Sequence, residues 1–331
     1  MKYIIVGGDG FVGRYIVRDL LRDSQSVLVC DINKSPIPTY QKAEHRYTDI
    51  TSLADVVDIP FEEGDVVINV AARMLHPIVK RRRRHDYFFS VDFEGAKNVV
   101  DAMLDKGCSQ LVQFSTDMVY GYPAYDPPLR SDHPRVPIGE YSDSKKYIED
   151  YCIEKRGDGL RVSIFRPRLI IGPGRLGVLT NLFRLIRKSL PVPLIGNGSN
   201  RYQMVSVFDC ASAAIASTKK GVVNGEYNLG SESPPTVIDL LGGLIDRVGS
   251  KSLLIPTPAT LVKLTLRSLD RMDLSLMVPE QFEIADTDYV VDISNTKSDL
   301  GWSPQYTDES MLNKAYDDFI NNNQSSDVFE N

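Results

Sequence analysis

This chain lacks the usual marks of a secreted, membrane-spanning or metal-binding protein. Its 331 residues contain only four cysteines, widely spaced, which excludes a dense disulfide framework and is untypical of a zinc site. No apolar run approaches the roughly 20 residues that a membrane-spanning helix needs, and no charged and then apolar segment at the start marks a secretory signal. We therefore expect no membrane span, no metal, and a reducing, cytoplasmic location.

The chain also lacks an excess of positive charge. Its net charge of −6 and pI near 5.4 argue against nucleic acid as a general partner, while 42% hydrophobic and 25% charged residues are typical of a globular protein. The exception is the basic run KRRRRH at 80–85. It fits either a solvated loop or helix start, or an anion-facing loop that meets a phosphate-bearing substrate or an acidic partner surface.

A glycine-rich segment near the start predicts a dinucleotide-binding turn. The buried strand predicted at Tyr3–Val6 is followed by glycines and then by a helical apolar pattern. The spacing fits G-x-G-x-x-G at Gly8, Gly10 and Gly13, or G-x-x-G-x-x-G starting at Gly7. Such a turn lets backbone N–H groups and a helix N-terminus approach a pyrophosphate.

An acidic residue follows at the expected distance. A second predicted strand, 26–30, ends in Asp31, 18 residues beyond Gly13. An acid there accepts the ribose hydroxyls of an adenosine and repels a 2′-phosphate, which favours NAD over NADP. The alternative is that Asp31 only caps a loop.

Strand-like and helix-like stretches alternate through the first half of the chain. This pattern predicts a Rossmann-type, doubly wound parallel α/β sheet, followed by a smaller mixed α/β substrate domain. The further predicted strands are 45–49, 65–70, 110–115 and 161–166, and the main helices are 86–105 and 141–155.

Proline and glycine become frequent beyond residue 172, and the alternation is lost. We expect an NAD-binding domain over 1–171, to which segments near 200–230 and 288–296 return. Residues 172–320 then form mainly the substrate-binding domain. The polar segment 321–331 has no periodicity, so we expect it to be disordered.

Two predicted elements carry side chains suited to proton transfer. Tyr141 and Lys145 are four residues apart on one predicted helix, so their side chains are neighbours. We expect the ammonium to lower the pKa of the phenol, which then takes or returns a hydroxyl proton. Thr116 follows the fifth predicted strand, where its hydroxyl can bind the same substrate oxygen.

Together these motifs resemble the extended short-chain dehydrogenase/reductase family, in its NAD-dependent epimerase/dehydratase group. The resemblance covers nearly the whole chain. The residues that carry it are GGDGFVG at 7–13, Asp31, Asp49–Ile50, NVAA at 69–72, FSTDMVYG at 114–121, YSDSK at 141–145, RPRLIIGPG at 166–174, GNGSNRYQMVSVFD at 196–209, YNLGS at 227–231 and DISNTKSDLGW at 292–302.

The resemblance implies a role for each matching residue. Tyr141 would be the general acid/base, Lys145 would lower its pKa and hold the nicotinamide ribose, and Thr116 would orient the reacting oxygen. The implied NAD-binding residues are Gly7, Gly10, Phe11, Val12 and Gly13 at the pyrophosphate, Asp31 and Ile32 at the adenosine ribose, Asp49 and Ile50 at the adenine, and Ala71 and Ala72 along the cofactor channel, with Tyr141 and Lys145 at the nicotinamide end.

Relatives of this kind oxidise a hydroxyl of a nucleotide-diphosphate sugar to a ketone with bound NAD, and then epimerise or dehydrate the product. Dehydratases and decarboxylases usually carry Glu where this chain has Met118, so that branch is disfavoured. Asp117 resembles an acid found in some sugar dehydratases and ketoreductases. It is a candidate proton donor, or it simply caps the following turn.

Two departures bear on the substrate. Leu169 replaces a common Asn, and Tyr202 replaces the arginine that usually clamps the diphosphate. Arg168, Arg175 or Arg201 would have to supply the missing charge. The sterol and steroid dehydrogenase branch of the family tolerates an apolar residue in place of this Asn, so a hydroxysteroid-type substrate stays an open alternative.

The leading hypothesis is an NAD-dependent nucleotide-sugar epimerase, most plausibly at the sugar C4, with Arg168, Arg201 and Tyr202 as substrate contacts. The alternative is a dehydrogenase or ketoreductase of a nucleotide keto sugar or a sterol-like alcohol. A third hypothesis, of another class, is a catalytically silent NAD-binding sensor. By analogy with relatives we also expect a homodimer through helices 86–105 and 141–155.

Overall fold

The strand-forming runs of the sequence assemble into one seven-stranded parallel sheet. The computed structural model describes residues 1–34, 42–75, 79–123, 126–175, 177, 179–275 and 277–327, with backbone alone for 322–327. The strands of this sheet are β1 (Tyr3–Val6), β2 (Val27–Asp31), β3 (Glu44–Tyr47), β4 (Val66–Asn69), β5 (Gln110–Phe114), β6 (Arg161–Pro167) and β10 (Gly225–Leu229). Their order across the sheet is β10-β6-β5-β4-β1-β2-β3. This confirms the predicted doubly wound architecture.

Helices cover both faces of this sheet, which explains why its central strands are continuously apolar. The helices are α1 (Gly13–Arg22), α2 (Leu53–Val57), α3 (Arg84–Phe88), α4 (Ala96–Asp105), α5 (Glu140–Lys155), α6 (Leu179–Arg187), α7 (Val207–Ala216), α8 (Val237–Arg247), α9 (Ala259–Arg271), α10 (Pro279–Phe282), α11 (Ser294–Leu300) and α12 (Asp308–Asp327). One face of the sheet packs against α1 and α7, and the other against α4 and α5. Within the described residues, no helix has the length and apolarity to cross a bilayer.

The later chain forms a second, smaller core between α6, α8 and α12. Two short parallel pairs accompany it: β7 (Leu169–Ile171) with β9 (Met204–Ser206), and β8 (Val192–Ile195) with β11 (Leu254–Thr257). The segment that contains β9, α7 and β10 leads back to the main sheet, where β10 pairs with β6. The division into an NAD-binding and a substrate domain stays a prediction, as does the homodimer.

Two expectations about helices differ from the structure. The helix predicted over 86–105 is interrupted by a π-helical segment, Phe89–Gly95, between α3 and α4. The tail expected to be disordered from residue 321 is helical as far as Asp327, because α12 continues from its packed part around Tyr316 and Phe319. Residues 328–331 lie outside the described residues.

Candidate active site

A cleft of about 1050 Å³ lies at the carboxyl ends of the central strands, where the strand order reverses between β1 and β4. This is the position at which doubly wound sheets bind ligands. Of the predicted cofactor residues, those in contact with the cleft are Gly7, Gly10, Phe11, Val12, Asp31, Ile32, Asp49, Ile50, Ala71, Ala72, Tyr141 and Lys145. Of the other predicted site residues, Thr116, Asp117, Arg168 and Tyr202 also line it.

The turn between β1 and α1 depends on Gly7. Its φ of +83° lies in the region that favours glycine, and a Cβ at this position would come within 2.7 Å of the Ala71 backbone. A Cβ at Gly13 would overlap the carbonyl oxygen of Gly7, so helix α1 packs directly on the turn. The tight packing of this turn thus requires glycine at both positions.

Asp31 ends β2 with its carboxylate beside this turn. Its two oxygens accept the backbone N–H groups of Asp9, at 2.9 Å, and of Asn33, at 3.1 Å. Asp31 thus holds the loop, as the simpler interpretation expects, and also contacts the cleft. The two roles are compatible, because a carboxylate has further lone pairs for the ribose hydroxyls.

Thr116 and Tyr141 come together on the cleft wall from different elements. Thr116 follows β5 and accepts the backbone N–H of Met118 at 3.3 Å. Tyr141 lies in the first turn of α5, and its side chain lines the same cleft close to that of Thr116. The two hydroxyl groups thus face one position in the cleft, as a pair that binds a single substrate oxygen would require.

The first turn of α5 is held by a residue distant in sequence. The buried carboxylate of Glu280, in α10, lies beside the N-terminus of α5, next to Gly139 and close to the backbone of Tyr141. An acid at a helix N-terminus is favourable because it meets free N–H groups and the positive end of the helix dipole. Gly139 leaves the space for it, since a Cβ there would overlap the Glu280 carboxylate. Glu280 therefore helps to position Tyr141.

Lys145 pairs with a carboxylate that the sequence reasoning did not include. Its Nζ lies 2.9 Å from Oδ1 of Asp92, and both side chains are buried. Asp92 also accepts the backbone N–H of Arg73, with N···O distances of 3.3 and 3.4 Å. It belongs to the π-helical segment Phe89–Gly95, a type of irregularity that is frequent at functional sites.

The pKa of Tyr141 is raised, whereas the sequence predicts a lowered one. Burial raises the pKa of the phenol above its usual value, and the nearby Asp92 carboxylate raises it further, whereas Arg175 and Thr116 lower it. The Lys145 Nζ is 6.0 Å from the centre of the tyrosine ring. Burial thus outweighs any lowering of this pKa by a neighbouring positive charge.

Asp117 forms a buried ion pair with Arg168. The guanidinium lies between two aromatic rings, 4.6 Å from the centre of Tyr202 and 4.3 Å from that of Tyr289. Tyr289 also donates from its hydroxyl to the backbone oxygen of Asp117 at 3.1 Å. Burial raises the pKa of Asp117 and Arg168 lowers it, while the Asp117 carboxylate raises the pKa of Arg168. Arg168 and Tyr202, both predicted substrate contacts, are thus neighbours.

Arg201 does not join them. It is exposed, its backbone N–H donates to Asp288 at 2.6 Å, and it is absent from the described residues that line the cleft. Consecutive residues of an extended segment point to opposite sides. Because Tyr202 faces the cleft, Arg201 faces away from it, which argues against its predicted substrate contact.

A signal for Asp92 was present in the sequence. Phe88, Asp92, Ala96, Val99 and Met103 follow each other at spacings of three or four residues, and all five are buried. An acid within an otherwise apolar helical stripe is uncommon unless it has a charged partner. The partner itself was not evident, and neither was the contact of Glu280 with α5.

Comparison with known proteins identifies the family. The family model described as "NAD dependent epimerase/dehydratase family" matches residues 3–230. The chain belongs to the NAD-dependent epimerase/dehydratase family. Among its relatives, an uncharacterized protein of Sinorhizobium fredii is 31% identical over 318 residues, which are 95% of this chain and 77% of that protein.

Other members of this family differ in activity. A 3beta-hydroxysteroid-dehydrogenase/decarboxylase of Arabidopsis thaliana is 22% identical, over 96% of this chain and 61% of that protein. Among solved structures, the UDP-glucose 4-epimerase of Thermotoga maritima has a TM-score of 0.77 at 20% identity, over 97% of this chain and 99% of that one. This structural likeness shows the fold.

The cofactor of the family is NAD, and the cleft fits it. Gly7 and Gly10 bring no side chain into the turn between β1 and the N-terminus of α1. A helix N-terminus of this kind is suited to bind a pyrophosphate. The carboxylate of Asp31 stands at the end of β2, the position from which an acid in dinucleotide-binding sheets accepts ribose hydroxyls and disfavours a 2′-phosphate.

Proposed function

We propose that this chain is an NAD-dependent epimerase of a nucleotide-diphosphate sugar, acting at the sugar C4. The observation that carries the proposal is the meeting of Thr116 and Tyr141 at one position in the cofactor cleft. Met118 lines the cleft beside them and brings no carboxylate to it. This arrangement suits oxidation and reduction of an alcohol without an added elimination step.

In this mechanism the chain moves one proton and holds the sugar oxygen. NAD, when bound, accepts a hydride from the sugar carbon and returns it. As the phenolate, Tyr141 would take the hydroxyl proton when the C–H bond breaks, and the resulting phenol would return it when the ketone is reduced on its opposite face. Thr116 holds the reacting oxygen throughout, and no net oxidation or reduction results.

The pairing of Asp117 supports an epimerase over a dehydratase. A proton donor for elimination needs a carboxyl group that is free to approach the leaving hydroxyl. Asp117 is instead buried against Arg168, which contacts Tyr202 and Tyr289. Because the ion pair holds the Asp117 carboxylate against Arg168, Asp117 serves better to fix the guanidinium than to approach a leaving hydroxyl.

The second candidate is a dehydrogenase or ketoreductase of an apolar alcohol such as a sterol. It is favoured by the side chains beyond Tyr141, because Leu169, Ile171 and Leu179 line the cleft and Tyr202 stands in place of the diphosphate-clamping arginine. The two candidates differ in their redox balance. An epimerase releases no NADH, whereas a dehydrogenase releases one NADH for each alcohol oxidised.

The experiment is a product assay of the purified protein with UDP-, GDP-, dTDP- and CDP-sugars, with and without added NAD. An isomer formed without net NADH supports the proposed epimerase and names its substrate. NADH formed in proportion to product supports the second candidate instead. The same holds if no sugar nucleotide is converted and a sterol is turned over.

A variant tests the assigned acid/base. Tyr141→Phe removes the phenolic proton and should lower kcat at least about a hundredfold, the scale of a lost general acid/base. Tyr147→Phe is the matched control, because Tyr147 lies on the same helix and is 53% exposed. If the Tyr141→Phe protein still binds NAD and keeps its full biological activity, the sensor hypothesis is favoured.

A further inference from the structure

Helix α9 leaves one apolar stripe uncovered. Positions 261, 264, 268 and 272 follow each other at spacings of three and four residues, so they share one side of the helix. Leu261, Leu264 and Met272 on this stripe are 61%, 56% and 65% exposed, and Leu274, just beyond the helix, is 60% exposed. The other side of α9 is packed, with Lys263 and Asp270 buried. We call Leu261, Leu264, Met272 and Leu274 the apolar stripe.

The basic run of the sequence lies against the end of this helix. Arg84 is buried and forms an ion pair of 2.6 Å with Asp270. The backbone N–H of Arg81 donates to Asp273 at 2.7 Å. These two contacts hold the exposed residues Lys80–Arg83, which we call the basic segment, beside Met272 and Leu274.

We propose that the apolar stripe and the basic segment together dock the protein onto the surface of an anionic lipid bilayer. Exposed leucine and methionine side chains enter the boundary between headgroups and acyl chains, while arginine and lysine bind anionic headgroups. The charge is local, since the whole chain has a net charge of −6. Solubility alone does not require four positive side chains next to exposed apolar ones in a protein whose net charge is negative.

Charge also argues against a second copy of the chain as the occupant. In a symmetric dimer the same patch of both copies meets across a two-fold axis. Wherever the two-fold axis passes near the end of α9, the two basic segments would lie close to each other and repel. An anionic bilayer instead complements all four cationic side chains and accepts the apolar stripe at the same time.

The docking surface continues into the cleft. Asp273, Leu274 and Ser275 line the cleft, and so does Met74, which is 45% exposed. A protein bound through the apolar stripe therefore turns this rim of its cleft toward the bilayer. The docking does not depend on the proposed epimerase activity, because it involves neither Thr116 nor Tyr141.

The test is flotation of the full chain with lipid vesicles. We expect strong binding to phosphatidylcholine vesicles that contain about 30% phosphatidylglycerol, weak binding to pure phosphatidylcholine, and loss of binding at high salt. Arg82→Ser and Arg83→Ser should each lower the partition coefficient about fivefold, which corresponds to about 1 kcal/mol per basic residue at such a surface. Leu264→Ser combined with Met272→Ser should lower it at least about tenfold.

Matched controls are available elsewhere on the surface. Lys219→Ser and Lys220→Ser remove exposed positive charges away from α9, and Leu190→Ser removes a leucine that is 44% exposed. These variants should bind vesicles like the parent protein, and NAD binding checks that every variant is folded. Equal partition of the parent protein into both kinds of vesicle, or equal losses in the control variants, would overturn the proposal. The proposal would also be overturned if Leu264→Ser abolished self-association of the protein and left vesicle binding unchanged. A second copy of the chain would then be the occupant of the apolar stripe.

Discussion

The ammonium of Lys145 lies 2.9 Å from the carboxylate of Asp92, and neither side chain has more than 2% of its surface exposed. The pair joins α5 to the π-helical segment before α4, next to the proposed acid/base Tyr141. It gives Lys145 a partner inside the protein, so its charge is not fully available to the phenol. Asp92 therefore acts on Tyr141 both directly and through Lys145.

Replacing Asp92 should change the pH dependence of turnover. The Asp92 carboxylate raises the pKa of Tyr141, so Asp92→Asn, which removes the charge, should lower that pKa. The limb of the kcat/KM profile that reports the phenol then moves to lower pH, by roughly one pH unit. Asp105→Asn, at the exposed end of α4, is the control. A profile identical to that of the parent enzyme would refute the electrostatic effect of Asp92 on Tyr141.

Asp31 should set the choice between NAD and NADP. Asp31→Asn keeps one oxygen, which can accept one of the backbone N–H groups of Asp9 and Asn33, and removes the second acceptor together with the negative charge. We expect the ratio of the Kd for NADP to that for NAD to fall about tenfold, since a 2′-phosphate is no longer repelled. Calorimetric titration of both cofactors measures the ratio. If it stays constant, Asp31 is not the ribose ligand.

Gly7 should not tolerate a methyl group. Gly7→Ala combines a φ of +83° with a contact of 2.7 Å to the Ala71 backbone, whereas Gly64 has nearly the same φ, +87°, and open space around it. Gly64→Ala should therefore cost only about 1 kcal/mol of unfolding free energy, and Gly7→Ala clearly more. Denaturant titration measures both, and NAD binding should weaken only in Gly7→Ala. Equal losses would mean that the close approach to Ala71 is unimportant.

Asp209 should make the stability depend on pH. Burial raises its pKa to about 6, although it accepts the backbone N–H groups of Gln305 and Tyr306. Between the usual aspartate value of 3.8 and about 6, the folded protein binds this proton more tightly than the unfolded chain does. Its contribution to stability is therefore complete below that range and is lost as the pH rises through 6.

Asp209→Asn should remove this dependence. From pH 4 to pH 6, the unfolding free energy of the parent protein should fall relative to that of the variant by roughly 1 to 3 kcal/mol. Asp246→Asn, which changes an exposed aspartate, should follow the parent protein. A constant difference between parent and Asp209→Asn across this range would contradict the raised pKa.

Much of the fold and part of the site could be predicted because their signals are local. The strand, glycine turn and helix at the start depend on neighbouring residues, and so does the alternation that predicts a parallel sheet. Thr116, Asp31 and Tyr141 could be located because each lies at the end of a strand or at the start of a helix. Arg201 could not be placed in this way, because sequence alone does not say which of two consecutive residues faces a cleft.

The order of strands and helices, the glycine turn, and the spacing that puts Tyr141 and Lys145 on one helix all follow from the amino-acid sequence. Which charges meet depends instead on the folded packing. Lys145 with Asp92, Arg168 with Asp117, and Arg84 with Asp270 are pairs separated by 53, 51 and 186 residues. Such pairs leave no periodic pattern, because they depend on how whole helices and strands pack. That packing also gave Tyr141 a raised pKa where its neighbour in sequence indicated a lowered one.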